Sequence, residues 1–273
     1  MTAARLPTLM IPHGGGPCFF MAPPSHMPTL WDAMGDHLRG LASEVGSRPE
    51  AVLVISGHWE TDLPTVLAVP EHTLLYDYYG FPEHTYRLTY PAKGAPDVAA
   101  RTLALLEAAG ISAAAETRRG LDHGVFVPFK LIYPDADVPM VQLSLQADLS
   151  PERHLEIGRA LAPLRDEGVL IVGSGMTFHN MAVMRSGGAD QAVSASVAFD
   201  DWLTETVELA DPTARAERLA KWAQAPGGRL SHPREEHLLP IMVAAGAAGD
   251  DLGKRIYTER LGGRIAQSGY RFG

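Results

Sequence analysis

Five histidines in this chain each lie where an apolar stretch meets a turn: His13, His58, His123, His179 and His237. Their wide separation in sequence excludes the local ligand spacing of a zinc finger. Neutral imidazole is the commonest metal ligand in proteins, so a set that converges in the folded chain would form a site for a single metal ion. Because any one of them alone is more often a structural histidine, the prediction depends on the fold that brings them together.

Four short apolar runs predict the strands that would position these histidines: residues 8–12, 51–56, 138–145 and 169–173. The runs are continuous rather than alternating, which is typical of strands with both faces buried under helices. They alternate with amphipathic stretches, and no linker or composition shift divides the chain. We therefore expect a single α/β domain over residues 1–273, with a mixed, largely parallel central sheet flanked by helices on both faces.

Two helices between these strands have clear start signals. Residues 95–110 predict one helix, with Pro96 near its start. Residues 151–167 predict another, with Ser150 as N-cap and Pro151 at the first helical position. Helices between strands allow the strands to run parallel, so their carboxyl ends would meet at one edge of the sheet.

Three of the histidines are expected at that edge. His13 and His58 each follow a predicted strand, and His179 follows residues 169–173 through a short polar loop. Side chains at the carboxyl ends of strands are held by rigid backbone and face the open crevice of an α/β sheet. This placement favours a functional site over scattered structural histidines.

A further helix is predicted over residues 233–246, with a kink at Pro240, and it would carry His237 in its first turn or two. Glu235 and Glu236 precede this histidine. Acidic side chains there would stabilise the helix dipole, or one of them would orient the His237 imidazole. The capping role is the more ordinary interpretation and the one we favour from sequence.

Composition excludes several classes of function. The formal net charge of −9 argues against nucleic acid as a partner. A single cysteine, Cys18, excludes an intramolecular disulfide, fits a reducing cytoplasm and is expected to be a small packed residue. We expect no signal peptide in the N-terminal residues, and no apolar run is long enough to cross a membrane. The HGGGP segment lacks the Lys and Ser/Thr of a phosphate-binding loop, so no nucleotide cofactor is expected. We expect a soluble, cytoplasmic protein.

The chain resembles a known family along nearly its whole length. The matching segments, in order, are HGGGP, SGHWE, YDYYGFPEHTYRLTYPAKGAP, GLDHGVFVPFKLIYPDADVPMVQLSL, SGMTFHN and HPREEHLLPIMVAAGAA. They are similar to the class III extradiol ring-cleavage dioxygenases, and most similar to the 4,5-DOPA extradiol dioxygenase-like subgroup. The resemblance implies an enzyme that opens a catechol ring with O2 to give a ring-opened semialdehyde.

The same resemblance implies a role for each histidine. His13, His58 and His237 would hold a divalent metal, with Fe(II) as the working ion and Zn(II) able to occupy the same site. His179 would be the acid/base histidine, and His123 would hydrogen-bond substrate or oxygen. One feature departs from the wider superfamily, which uses two histidines and a glutamate, because His237 stands at the third position.

Other assignments stay open at this stage. His232 lies five residues before His237, off its helical face, and is a less favoured metal contact. The tyrosine-rich segment 76–86 would form an aromatic wall over the substrate ring, with His84 as its most plausible substrate contact. The alanine-rich stretch 189–224 predicts one or two helices that would cover the site or form a homodimer surface.

Two alternative functions use the same histidines. A zinc hydrolase needs three ligands and an open position, but the sequence has no HExxH helix. A non-catalytic metal-binding relative would have no need of both His123 and His179. The natural catechol and the cleavage position cannot be read from the sequence, because both depend on loops.

Overall fold

In a computed structural model, which describes residues 5–185 and 190–273, eight strands form one sheet in the order β4-β3-β5-β2-β6-β1-β8-β7. The strands are β1 (Thr8–Pro12), β2 (Ala51–Thr61), β3 (Thr65–Leu67), β4 (Ala114–Glu116), β5 (Met140–Gln146), β6 (Val169–Gly175), β7 (Gly253–Leu261) and β8 (Ile265–Phe272). The four central strands β5, β2, β6 and β1 are parallel, whereas β3 pairs with β5, and β8 with both β1 and β7, in antiparallel fashion. The sheet is therefore mixed and largely parallel at its centre, as predicted.

Successive residues of the central strands enter two separate cores. Leu53 and Ile55 pack into the core on one face of the sheet, and Val52 and Val54 pack into the core on the other. Side chains alternate across a strand, so a strand buried on both faces must be apolar at every position. This requirement explains the continuous apolar runs.

Helices cover both faces of the sheet. They are α1 (Asp32–Val45), α2 (Pro96–Ala108), α3 (His123–Ile132), α4 (Pro151–Leu161), α5 (Met181–Arg185), α6 (Asp190–Val207), α7 (Pro212–Ala220), α8 (Gly228–Ser231) and α9 (Leu239–Ala248). Side chains of α2, α4, α6, α7 and α9 build one core, and those of α1 and α3 build the other. The predicted α/β class with helices on both faces is confirmed.

Two of the predicted helices begin where the sequence signals placed them. α2 begins at Pro96, and α4 begins at Pro151 with the Ser150 hydroxyl accepting a hydrogen bond from the backbone N–H of Arg153. The stretch predicted over 189–224 contains two helices, since α6 ends at Val207 and α7 begins at Pro212. Residue 189 lies outside the described part of the chain.

The helix predicted over residues 233–246 is wrong at its start. Residues 233–238 form bends and turns, and α9 begins only at Leu239, with Pro240 in its first turn. Proline lacks a backbone N–H and is tolerated at the start of a helix, so Pro240 begins α9 rather than kinking it. His237 consequently lies in the turn before the helix. Within the described residues, no helix is both long and apolar enough to span a membrane.

Candidate metal centre and active site

His13 follows the last residue of β1 and is nearly inaccessible to solvent, with 1% of its surface exposed. Its backbone N–H donates to the carbonyl of Gly175 at the end of the neighbouring β6, at 3.3 Å. Its Nδ1 lies 3.0 Å from the Ser174 hydroxyl, which donates to the carbonyl of Gly124. Because the hydroxyl proton is used there, Nδ1 is the donor to Ser174 and the Nε2 lone pair of His13 faces the crevice.

His58 lies in an irregular part of β2. The pairing of β2 with β5 shifts register between Ile55 and Glu60, and His58 falls inside this shift. Bulges of this kind redirect side chains at active sites. The backbone N–H of His58 donates to the hydroxyl of Ser56 at 3.2 Å, which fixes the displaced segment.

His237 is held in its turn by direct contact with β6. Its carbonyl accepts the backbone N–H of Met176 at 3.0 Å. A Cβ at Gly175 would lie 2.1 Å from the same carbonyl oxygen, so only glycine allows this approach. His237 Nδ1 lies 3.0 Å from Glu236 Oε1, which directs its Nε2 towards the other two histidines.

The Nε2 atoms of these three rings converge. Nε2 of His58 lies 3.1 Å from that of His13 and 3.2 Å from that of His237. Two nitrogens bound about 2.1 Å from one ion, at tetrahedral or octahedral angles, lie about 3.0–3.4 Å apart. The spacing therefore fits three ligands of a single metal ion.

The electrostatics of the cluster favour a bound cation. Burial and the neighbouring histidines lower the pKa of His13 and of His237 well below the usual range, and burial with the nearby His123 lowers that of His58 to about 4. All three rings are therefore neutral at physiological pH. Rings whose Nδ1 protons are directed outwards place lone pairs against one another, and a cation between them removes that repulsion.

His179 lies directly against His237. The two rings stack with centroids 3.3 Å apart and planes at 15°. Nδ1 of His179 is 3.3 Å from Glu236 Oε1, the same oxygen that faces His237. Burial alone would raise the pKa of Glu236, but the hydrogen bonds from both histidines outweigh it and hold the pKa far below its usual range. Glu236 is thus an ionised carboxylate that orients two rings, and the helix-capping interpretation is wrong.

His123 begins α3 on the opposite side of His58, with ring centroids 3.9 Å apart. Asp77 Oδ1 lies 2.9 Å from its backbone nitrogen and 2.8 Å from its Nδ1. The adjacent Asp122 is fully buried and accepts hydrogen bonds from Ser56, Gln142 and Arg119. These contacts join the start of α3 to the segment of β2 that carries His58.

Among the described residues, two separate groups of three side chains have the spacing of metal donors. One contains His13, His58 and His123, and the other His179, Glu236 and His237. Nδ1 of His123 contacts Asp77, and Glu236 accepts hydrogen bonds from the Nδ1–H groups of two histidines, so these groups are engaged elsewhere. The convergence of three Nε2 atoms favours His13, His58 and His237 as the donor set, with His123 and His179 beside it.

The five histidines form part of the wall of a cavity of about 560 Å³. Aromatic and methionine side chains line much of the remainder: Met21, Trp31, Tyr78, Tyr79, Phe81, Met176, Met181 and Met184. Part of the tyrosine-rich segment thus contacts the cavity, as its sequence indicated. Such apolar walls with a few convergent polar groups are typical of small-molecule sites.

Two other candidates from the sequence, His84 and His232, do not take part in the site, and Cys18 is the packed residue that was expected. His84 is exposed, contacts the carbonyl of Phe20 and is not among the cavity-lining residues. His232 is fully buried and its Nε2 lies 3.0 Å from the carbonyl of Thr177. Cys18 borders the cavity, but burial raises its pKa to about 12, so its thiol is protonated at neutral pH.

The sequence did not identify the groups that orient the histidines. Ser174, Asp77 and Asp122 were absent from the prediction, and Glu236 entered it as the less favoured alternative. Asp122 lies beside His123 in the GLDHG motif, Asp77 lies in YDYYG and Ser174 begins SGMTFHN, so all three were inside quoted segments. Only the fold shows which way their side chains point.

Comparisons with known proteins identify the family of the chain. A family model described as the catalytic LigB subunit of aromatic ring-opening dioxygenase matches residues 7–273. The chain is 42% identical over 232 residues to 4,5-DOPA dioxygenase extradiol of Beta vulgaris, covering 82% of this chain and 83% of that protein. It is 37% identical over 265 residues to Dioxygenase tasH of Hapsidospora irregularis, covering 93% and 81%.

Bacterial relatives are similar over still more of their length. The chain is 33% identical over 247 residues to 4,5-DOPA dioxygenase extradiol of Escherichia coli K12, covering 90% of this chain and 87% of that protein. The crystal structure of an uncharacterized protein from Escherichia coli K12 superposes with a TM-score of 0.79 at 30% identity, covering 98% of this chain and all of that one. With the family model matching almost every residue, the chain belongs to the LigB family of aromatic ring-opening dioxygenases and is an extradiol ring-cleaving enzyme.

Proposed function

We propose that this enzyme is an Fe(II)-dependent extradiol dioxygenase that opens the ring of a 3,4-dihydroxyphenyl compound with O2 to give a semialdehyde. His13, His58 and His237 hold the metal, His179 is the acid/base histidine, and His123 hydrogen-bonds substrate or oxygen. The observation that carries the proposal is the convergence of three imidazole Nε2 atoms, at 3.1 and 3.2 Å, beside two further histidines in one cavity.

The donor set fits a divalent metal that keeps open positions. Three neutral imidazoles fill three positions, and the cavity leaves room for substrate at the others. Bound Fe(II) would lower the pKa of a catechol hydroxyl and supply the redox chemistry that O2 needs, whereas zinc has no accessible redox change. Zinc could therefore occupy the site without supporting ring opening.

The protein's own contribution to proton transfer lies in the Glu236–His179 contact. Glu236 accepts a hydrogen bond from the Nδ1–H of His179, which leaves Nε2 of His179 unprotonated. Nε2 is therefore the atom that takes a proton from a catechol hydroxyl. The ionised Glu236 stabilises the imidazolium that this transfer creates. Asp77 holds His123 in the same way, leaving His123 Nε2 for substrate or oxygen.

Two lines of support bear on the substrate. The relatives from Beta vulgaris and Escherichia coli carry the name 4,5-DOPA dioxygenase extradiol, and DOPA is a 3,4-dihydroxyphenyl compound. Tyr78 and Phe81 supply aromatic surface in the cavity wall, and such surface packs well against a catechol ring.

The test is reconstitution of the metal-free enzyme with Fe(II) under anaerobic conditions, followed by air and a panel of catechols. We expect O2 uptake with a yellow ring-opened product for at least one 3,4-dihydroxyphenyl compound, and no uptake for the zinc-loaded enzyme. Iron bound in stoichiometric amount with no O2 uptake across the panel would contradict the proposal.

A further inference from the structure

The cavity lining includes one arginine, at the end of α5. Arg185 ends α5 and lines the cavity, where Asp77 is the other permanently charged side chain. Asp77 already accepts hydrogen bonds from His123, whereas Arg185 forms no hydrogen bond or ion pair with the part of the chain that is described. Since no described residue pairs with its guanidinium, Arg185 can bind an anion that enters the cavity.

Exposed apolar side chains accompany this arginine. Among the described residues, the large apolar side chains classed as exposed are Leu63, Tyr79, Met181 and Leu252. Two of these four line the same cavity, with Tyr79 88% and Met181 42% exposed. Apolar surface gathered around a concave site marks a place where a ligand is bound.

The cavity is larger than a bare catechol requires. Its volume of about 560 Å³ lies in the range that encloses a drug-sized molecule, roughly 300–1,000 Å³. The histidines fix where the two hydroxyls must lie. Space therefore remains between the catechol ring and the mouth for a substituent on that ring.

We propose that Arg185 is a specificity-determining residue that binds a carboxylate on the ring substituent of the substrate, while Tyr79 and Met181 cover the linking carbons. The inference rests on the proposed cleavage of catechols and narrows it to those that carry an anionic side chain. A guanidinium binds a carboxylate through two parallel hydrogen bonds, which gives orientation as well as affinity.

A matched series of catechols tests the charge preference. The members are 3-(3,4-dihydroxyphenyl)propanoate, neutral 4-ethylcatechol and cationic 4-(2-aminoethyl)catechol, all assayed with the Fe(II) enzyme. We expect the kcat/KM of the propanoate to exceed that of the neutral compound by roughly 5- to 10-fold, since a partly exposed charged hydrogen bond contributes about that much. The cationic compound should be the poorest substrate.

Variants assign the preference to this residue. Arg185→Met should abolish the advantage of the propanoate and change the neutral compound less than 2-fold, and Arg185→Lys should restore part of it. Arg159→Met is the matched control, because Arg159 lines a separate groove beside α4 and α7. It removes the same charge without touching the cavity, so the preference should persist.

Binding gives a readout that does not need turnover. Titration calorimetry of the propanoate into the zinc-loaded enzyme should show weaker binding to Arg185→Met by a similar factor. If all three catechols are cleaved equally well, or if Arg185→Met leaves the preference intact, the role of Arg185 is wrong while ring cleavage stands. If no catechol is cleaved by iron-loaded enzyme, the proposed function itself fails.

Discussion

At the scale of single residues, the position of Nε2 separates the proposed ligands from the other two histidines. Nε2 of His58 lies within 3.2 Å of those of His13 and His237. A carboxylate at Nδ1 does not make this distinction, because Nδ1 faces a carboxylate in His123, in His179 and also in His237. Removing one ligand from a three-ligand site should abolish metal binding. Removing an acid/base group beside the site should impair proton transfer and leave the metal bound.

The first prediction follows from this division. His58→Ala should lose stoichiometric Fe(II), whereas His179→Ala should keep most of the metal and lose about 10²–10⁴-fold in kcat. Metal analysis after desalting, combined with steady-state O2 uptake, measures both quantities. Normal iron content in both variants would show that the roles are assigned to the wrong residues.

Ser174 is predicted to act on the metal through His13. Removing its hydroxyl in Ser174→Ala leaves the Nδ1 proton of His13 without its buried acceptor, and such losses cost about 10–100-fold in metal affinity. Competition with a chelator of known affinity gives the change. Ser196→Ala is the control, because Ser196 is a buried serine that bonds to Val193 and Ala266 rather than to a histidine. Equal affinity in the two variants would exclude the role.

The sequence identified the five histidines but not the residues that orient them. A histidine after an apolar run is a local signal, whereas Ser174 lies 161 residues from His13 and Asp77 lies 46 residues from His123. Nothing local in the chain links such pairs. These pairs form only because the parallel strands end, and α3 begins, at the same edge of the sheet.

At the scale of elements, the predictions succeeded where one signal dominated. The central strands are continuous apolar runs, and α2 and α4 begin at prolines, so both were found. β7 alternates exposed and buried residues with irregular spacing, and β3 and β4 have three residues each, so these strands gave no clear pattern. α3 was missed because Pro128 lies inside it and its sequence is almost wholly apolar.

The turn that carries His237 depends on its contact with β6. A Cβ at Gly175 would lie 2.1 Å from the His237 carbonyl oxygen, so Gly175→Ala must push the turn away from the strand. We expect lower metal affinity and a loss of roughly 1–3 kcal/mol in unfolding free energy from overpacking.

Gly40→Ala provides the matched control for that experiment. Gly40 lies in α1, and a Cβ there meets nothing within 4 Å, so the same substitution should raise stability by about 0.5–1 kcal/mol and leave metal affinity unchanged. Chelator competition and urea unfolding on both variants separate the two effects. Unchanged metal affinity in Gly175→Ala would show that the turn does not depend on this contact.

At the scale of the whole molecule, several histidines are buried as neutral groups. Burial lowers the pKa of His232 to about 3 and that of His37 to about 4, and burial with the neighbouring His123 lowers that of His58 to about 4. Unfolded histidines have pKa values near 6.5. Between these limits the unfolded chain binds protons that the native protein does not, so acid favours unfolding.

The final prediction concerns the stability of the metal-free enzyme as pH changes. The contribution of the buried neutral histidines to its unfolding free energy should be complete above about pH 6.5. It should fall as pH drops towards 4, by up to about 1.4 kcal/mol per pH unit for each such histidine. Glu236 acts in the same direction at lower pH, because its pKa is lowered and its stabilising contribution is lost as pH falls below the usual pKa of 4.5.

Urea unfolding with a chelator between pH 5 and 7.5 measures the slope of unfolding free energy against pH. His232→Gln removes one fully buried imidazole whose Nδ1 has no hydrogen-bond partner among the described residues, so the slope of the variant should be shallower whatever its overall stability. An unchanged slope would show that burial of His232 does not contribute to the acid sensitivity of this protein.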